Sequence, residues 1–281
     1  MQALDTIVFE TPIVRAAKFR CAAADSRFRD SGPAGNCAVV FPRTAVWLRY
    51  SGSRAFVADP SLATIYNPGQ EYTRDVISSE GDHCEWFGVA PQVAREIASA
   101  FDNHSTEHED KPFVPECAPV DAGLYLAQRT FFGRLERNEV NVLEAEETIL
   151  GLVSAVIERA YARRVDDTYD RDARIDLVER AKALLYRNLC NRHTLTDLAS
   201  ELGVSPFHLC RVFRDRTGRT LHDFKTDLRL RRALELLSDS STDLSRIAYE
   251  CGFSSHSLFT AAVRDGYAQV PSLLRKALLQ S

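Results

Sequence analysis

Long apolar runs are missing from these 281 residues. None approaches the roughly 18 residues of a membrane span, and the opening MQALDTIVFETPIVRAAKFR has no basic segment leading into an apolar one. A cytoplasmic protein with no membrane partner is the expectation. Paired cysteine spacings are missing as well. The seven cysteines (Cys21, Cys37, Cys84, Cys117, Cys190, Cys210 and Cys251) are an odd number, scattered, with no C-x-x-C. That argues for reduced thiols and against a zinc module. No His-x-His occurs either, and His83, His104 and His108 stand apart. A metalloenzyme on a small β-barrel would need its ligands clustered, so no metal site, no cofactor and no catalytic residue are expected. The HSTEH run spaces His104 and His108 for one face of a helix, but its polar setting favours a loop.

What is present divides unevenly. The formal net charge of −4 hides an acidic front and a basic tail: residues 175–281 hold 16 Lys and Arg against 12 Asp and Glu, leaving −8 on residues 1–174. Such asymmetry points weakly to nucleic acid.

Residues 1–120 read as β-rich. AVWLRY, RAFVADP and ATIYNPGQEYT are short apolar or alternating runs separated by Ser-Gly-Ser, Asp-Pro and Asn-Pro-Gly turns, and HCEWFGVAP adds another. Pro91 suits the first position of a helix. Strands about ten residues apart suggest a small barrel or sandwich. Trp47, Tyr50, Tyr66, Tyr72 and Trp86 fall on or beside these strands, so alternation would turn some of them toward an apolar cavity. Residues 121–164 read as helical. Leu143, Leu150 and Ile157 recur every seven residues, with Val153 between, giving a narrow seam that packs on its own domain or on a second subunit. Residues 165–174 are charged and aperiodic, and serve as the linker.

From residue 175 onward nearly everything reads as helix, and a pattern repeats. Leu195, Leu198, Ala199, Leu202 and Gly203 match Leu244, Ile247, Ala248, Cys251 and Gly252 at an offset of 49. Leu209, Phe213 and Arg214 match Phe259, Val263 and Arg264 at an offset of 50, so the second turn carries one extra residue. Thr194 or Thr196 can cap a short helix that Gly203 ends; Ser205 then caps a second, with Pro206 first in it. Two helices joined around a glycine form the corner of a helix-turn-helix. A tandem pair can set two helices in successive major grooves, about 34 Å apart.

The tail resembles the AraC/XylS family of bacterial transcription regulators over about Ile175 to Leu278. The likeness rests on Gly-x-Ser…Leu-x-Arg-x-Phe in the first unit, Gly218 after its second helix, the Arg-Leu…Ala-x-x-Leu-Leu spine between the units, Ile-Ala…Cys-Gly-Phe in the second unit, and Pro271. Val263, Ala261 and Ala268 depart from the Phe, Arg and Gly usual in the family. The resemblance implies an α+β protein: a cupin-like β-barrel or sandwich with helices, then an all-α tandem helix-turn-helix domain over residues 175–281. It implies a sequence-specific, double-stranded-DNA-binding activator that works with RNA polymerase, senses a small-molecule effector through its front domain and forms a homodimer. By that resemblance Phe207, Cys210 and Arg211, with His256, Ser257 and Thr260 in the second unit, face bases. Arg211 suits a bidentate pair with guanine O6 and N7. Arg214, Arg219 and Arg264 suit phosphates. A redox-responsive regulator using Cys84 or Cys210 is the alternative, and a cupin-type enzyme comes after it.

Overall fold

The computed structural model describes residues 4–30, 32–101, 111–164, 172–191, 193–238 and 242–280. His104, His108 and most of the 165–174 linker lie outside them. The chain divides into two units, residues 1–121 with 134–169 and residues 122–133 with 170–281. Its α+β character, β-rich first and all-helical at the tail, is the one the sequence implies.

Among the described residues the first unit has nine strands: β1 (Asp5–Glu10), β2 (Val14–Cys21), β3 (Cys37–Pro42), β4 (Val46–Tyr50), β5 (Phe56–Ala58), β6 (Leu62–Tyr66), β7 (Tyr72–Val76), β8 (Asp82–Val89) and β9 (Cys117–Pro119). Every pairing is antiparallel, in one sheet of order β1-β2-β8-β3-β6-β9 and a second of order β5-β4-β7. The run ATIYNPGQEYT folds as two strands about its Asn-Pro-Gly turn. Residues 67–70 turn between them, where Asn67 N donates to Gln70 Oε1 at 2.9 Å and Gly69 takes a positive φ of 73°. On the inner faces, Trp86 of β8 stands opposite Ala17 of β2 and Val40 of β3, while Leu48 of β4 stands opposite Arg74 of β7. The core joins Phe19, Phe28, Leu48, Tyr50, Tyr66 and Trp86. Each large side chain so buried contributes about 1.5–3 kcal/mol.

Helix α1 (Pro91–Ser99) begins at the expected proline. The helical stretch then breaks into α2 (Ala122–Glu136) and α3 (Val142–Arg164), with Asn138 at φ 58° in the turn and Asn141 Oδ1 accepting from Glu144 N at 3.0 Å. Helix α3 packs on β2, β8 and β9. Its Val153 and Ile157 are fully buried there within the protomer, while Leu143 is 73% exposed and Leu150 half-buried. The heptad seam therefore divides: Val153 and Ile157 serve the core, and Leu143 and Leu150 remain accessible.

The second unit contains α4 (Asp172–Arg187), α5 (Leu195–Leu202), α6 (Pro206–Thr217), α7 (Leu221–Leu237), α8 (Leu244–Glu250), α9 (His256–Tyr267) and α10 (Pro271–Gln280). Helix α7 is its spine. It packs on α4 and α6 on one side of the repeat and on α8, α9 and α10 on the other, burying Phe224, Leu228, Leu230, Ala233, Leu234 and Leu237. The first three turns of α2 also belong to this unit. Tyr125 Oη lies 3.2 Å from Glu235 Oε1, Arg129 Nε pairs with the same carboxylate at 2.8 Å, and the Arg231 guanidinium stacks 4.7 Å from the Tyr125 ring.

Candidate nucleic-acid interface and barrel cavity

Each corner of the repeat is fixed by caps that the sequence spells out. Thr194 and Asp197 form a reciprocal capping box at the start of α5, and Gly203 ends that helix in the left-handed region at φ 70°. Ser205 Oγ then accepts from His208 N at 3.2 Å, with Pro206 at the first position of α6. In the second corner Asp243 caps α8 through Ser245 N at 2.9 Å and Arg246 N at 3.3 Å, and Ser255 caps α9 through Leu258 N at 3.2 Å. Caps of this kind are each worth about 0.5–2 kcal/mol. The small Ala199 and Ala248 are buried where the helices cross.

Gly252 has no substitute at its corner. Its φ is 80°, and an added Cβ would stand 2.8 Å from Arg229 Nη2 and 2.9 Å from Cys190 Cα. Position 268 ends α9 in the same left-handed geometry that Gly218 supplies to α6, but with alanine at φ 54°.

Burying Leu209, Val212 and Phe213 turns the opposite face of α6 outward. Phe207 is 78% exposed there, and Cys210, Arg211 and Arg214 are exposed with it. On α9, burial of Phe259, Val263 and Tyr267 leaves His256, Ser257, Ala261 and Arg264 exposed. Thr260 is half-buried, and its Oγ1 is enclosed with no hydrogen-bond partner among the described residues. Leu258, not among the candidates of the sequence, is 57% exposed beside Ser257. Only its burial state marks it, since leucine one turn into an amphipathic helix reads as core.

Of the three arginines expected at phosphates, Arg214 and Arg264 are exposed, whereas Arg219 is engaged internally. Its Nη1 donates to Asp227 Oδ2 at 3.1 Å and its Nη2 to Asp223 O at 3.3 Å, with the guanidinium 5.8 Å from the Phe224 ring.

The barrel holds a cavity of about 530 Å³, open to solvent on one side, whose walls include Phe19, Val46, Leu48, Tyr66, Tyr72 and Trp86. Three of the five aromatics expected there, Tyr66, Tyr72 and Trp86, do line it. Tyr50 is packed beneath, its hydroxyl donating to Ile65 O at 2.9 Å, and Trp47 is half-buried on the alternate face of β4. Arg74 and Asp82 also line the cavity, joined by an ion pair with Arg74 2% exposed. The Arg74 guanidinium lies 4.6 Å from the Phe19 ring, 5.4 Å from Phe28 and 5.8 Å from Tyr72. Burial raises the Asp82 carboxyl above its ordinary value despite the arginine beside it. Asp5, also at the wall, accepts from Trp86 Nε1 at 2.7 Å, and burial raises its carboxyl too. Neither unit brings three metal-ligating side chains together among the described residues.

The two candidate redox thiols are placed differently. Cys84 is buried in the barrel, which pushes its thiol well up; Cys210 is exposed on α6. Thiolate chemistry is suppressed at the first.

Residues 198–277 match the family described as helix-turn-helix domain. They form an AraC-type helix-turn-helix domain. The chain is similar to the HTH-type transcriptional regulator GlxA of Rhizobium meliloti, 41% identical over 81 residues, which are 29% of this chain and 25% of that protein. It is also similar to the HTH-type transcriptional regulator GadX of Escherichia coli, 31% identical over 93 residues, 33% of this chain and 34% of that one. The chain thus spans about a quarter to a third of these curated relatives. A solved regulator from Chromobacterium violaceum, titled with an AraC-type DNA-binding domain, is 30% identical and covers 37% of this chain and 94% of its own, with a TM-score of 0.36. All three likenesses are to a part of this chain. No helix among the described residues is long and apolar enough to cross a membrane.

Proposed function

We propose that this protein is a sequence-specific DNA-binding transcription regulator, and that α6 and α9 are its two reading helices. The observation that carries the reading is the exposed face of α6, where Phe207, Cys210, Arg211 and Arg214 stand clear of the core behind a fully capped corner. Arg211 is the base reader through guanine O6 and N7, Phe207 touches a thymine methyl, and Cys210 makes a small neutral contact. In the second unit His256 and Ser257 face the groove, and Arg214 and Arg264 bind phosphates. Arg219 positions the end of α6 through Asp227 rather than clamping the backbone itself.

In this reading the barrel cavity takes a small-molecule effector, the protein activates transcription together with RNA polymerase in the cytoplasm, and Leu143 and Leu150 contribute to a homodimer contact. The test is selection from a random-duplex library by the purified protein, followed by affinity for the selected site at two salt concentrations. An enriched sequence with salt-dependent affinity supports the reading. A library that stays random, with and without an effector, opposes it.

A further inference from the structure

We infer that the barrel cavity is built for an uncharged, mainly aromatic molecule bearing one hydrogen-bond acceptor. The inference rests on the reading of the cavity as an effector site and names the chemistry that site selects.

The walls come first. Phe19, Tyr66, Tyr72 and Trp86 present rings, and Val46 and Leu48 present methyl groups, around about 530 Å³. That is within the roughly 300–1,000 Å³ of small-molecule sites, and two fused aromatic rings fit it.

The charges come second, and they are already matched. Arg74 and Asp82 neutralise each other at the wall. Arg15 and Arg27, the other two arginines of the lining, pair with Glu10 and Asp25 in contacts partly open to solvent, away from the buried Arg74–Asp82 pair. Asp5 is held by the Trp86 indole. A carboxylate ligand would set a further anion near Asp5 and Asp82, two acids whose ionisation burial already opposes. An ammonium would meet Arg74, whose guanidinium already lies beside the rings of Phe19 and Tyr72. A full charge brought to the buried wall beside Arg74 and Asp82 meets only groups that are already paired, and its desolvation there goes uncompensated.

The third observation sets the polar handle. Arg74 spends Nη1 on Asp82 and Nη2 on Arg27 O at 3.4 Å, but its enclosed Nε–H has no acceptor among the described residues. Buried donors of this kind are ordinarily satisfied. A ligand carbonyl or ether oxygen, with a small shift of the side chain toward the cavity it lines, supplies what is missing without disturbing the Asp82 pair.

The experiment is calorimetric titration of the full chain with four naphthalene probes: 2-acetylnaphthalene, 2-naphthoate, 2-(aminomethyl)naphthalene as its ammonium, and naphthalene itself. The ketone binds about tenfold or more tighter than either charged probe, and about tenfold or more tighter than naphthalene, the margin of one hydrogen bond from a charged donor. Arg74→Lys keeps the charge opposite Asp82 and removes the Nε–H. It brings ketone and naphthalene affinities together while naphthalene binding, which reports an intact cavity, is retained. If Arg74→Lys loses naphthalene binding as well, the wild-type ketone-to-naphthalene ratio decides alone. Tighter binding of the carboxylate or the ammonium overturns the inference, as does the absence of saturable binding by all four. Duplex affinity measured with and without the ketone is read separately: an unchanged value removes the effector role and leaves the ligand class standing.

Discussion

Arg231 and Asp227 are joined one turn apart on α7, with Arg231 Nη2 3.0 Å and Nε 3.1 Å from Asp227 Oδ2 in a site where the arginine is 1% exposed. The same oxygen receives Arg219 Nη1 at 3.1 Å, from the residue after the cap of α6. One carboxylate thus ties α7, the spine of the tandem domain, to the end of α6. Asp227→Ala removes it from under a buried guanidinium. The expected loss is about 3 kcal/mol, at the lower end for a broken buried pair, because Arg231 keeps its stacking on Tyr125. Urea unfolding followed by far-UV circular dichroism measures it.

The three arginines near the reading helices separate by salt dependence. Arg214→Ala and Arg264→Ala each lower the slope of log affinity against log salt by about 1, the signature of one lost phosphate contact. Arg219→Ala lowers it by clearly less, since that side chain is held by Asp227. Titration of the selected duplex at four salt concentrations distinguishes them.

Two positions of left-handed backbone respond in opposite directions. Ala268→Gly relieves a φ of 54° at the end of α9 and raises stability by about 1 kcal/mol. Gly252→Ala forces a side chain into φ 80° and against Arg229 and Cys190, and lowers stability by about 2 kcal/mol. The melting temperature of each variant gives the sign directly.

Acid weakens the corners. Hydrogen bonds from Thr194 hold the Asp197 carboxyl below its ordinary 3.8, and those from the backbone of Ser245 and Arg246 do the same for Asp243. A carboxyl with a lower pKa folded than unfolded contributes its full stabilisation above the unfolded value and loses it as pH falls through the folded one. Melting temperature therefore drops as pH falls below about 4, and Asp243→Asn flattens that drop. A melting series from pH 6 to pH 3 checks it.

The tandem corners are legible because Gly203 and Gly252 recur in one apolar pattern and because Thr194 or Thr196, Ser205 and Pro206 suit helix starts; the caps of the second corner, Asp243 and Ser255, come from the structure. The barrel was legible as a class but not strand by strand. Residues 62–76 run through two strands of different sheets, and only the Asn67–Gln70 turn separates them. The heptad on α3 predicted a seam without its owner, since an apolar face satisfies a neighbouring sheet as readily as a second subunit. Arg74 and Asp82 drew no attention as candidates, because a buried ion pair depends on two strands meeting and has no sequence signature. The exposure of Leu258 and the half-burial of Thr260 are not legible for a similar reason: which face of α9 is buried is set by packing on α7, beyond what the residue types convey.

The central claim is that α6 reads bases, and Arg211 tests it most directly. Affinity of the library-selected duplex is measured for the wild type and for Arg211→Ala at two salt concentrations, together with single-base variants of the site. The account predicts a loss of about 1–3 kcal/mol confined to one base position, with the salt slope retained. A uniform loss across all site variants, accompanied by a slope lower by about 1, would make Arg211 a phosphate contact and contradict the account.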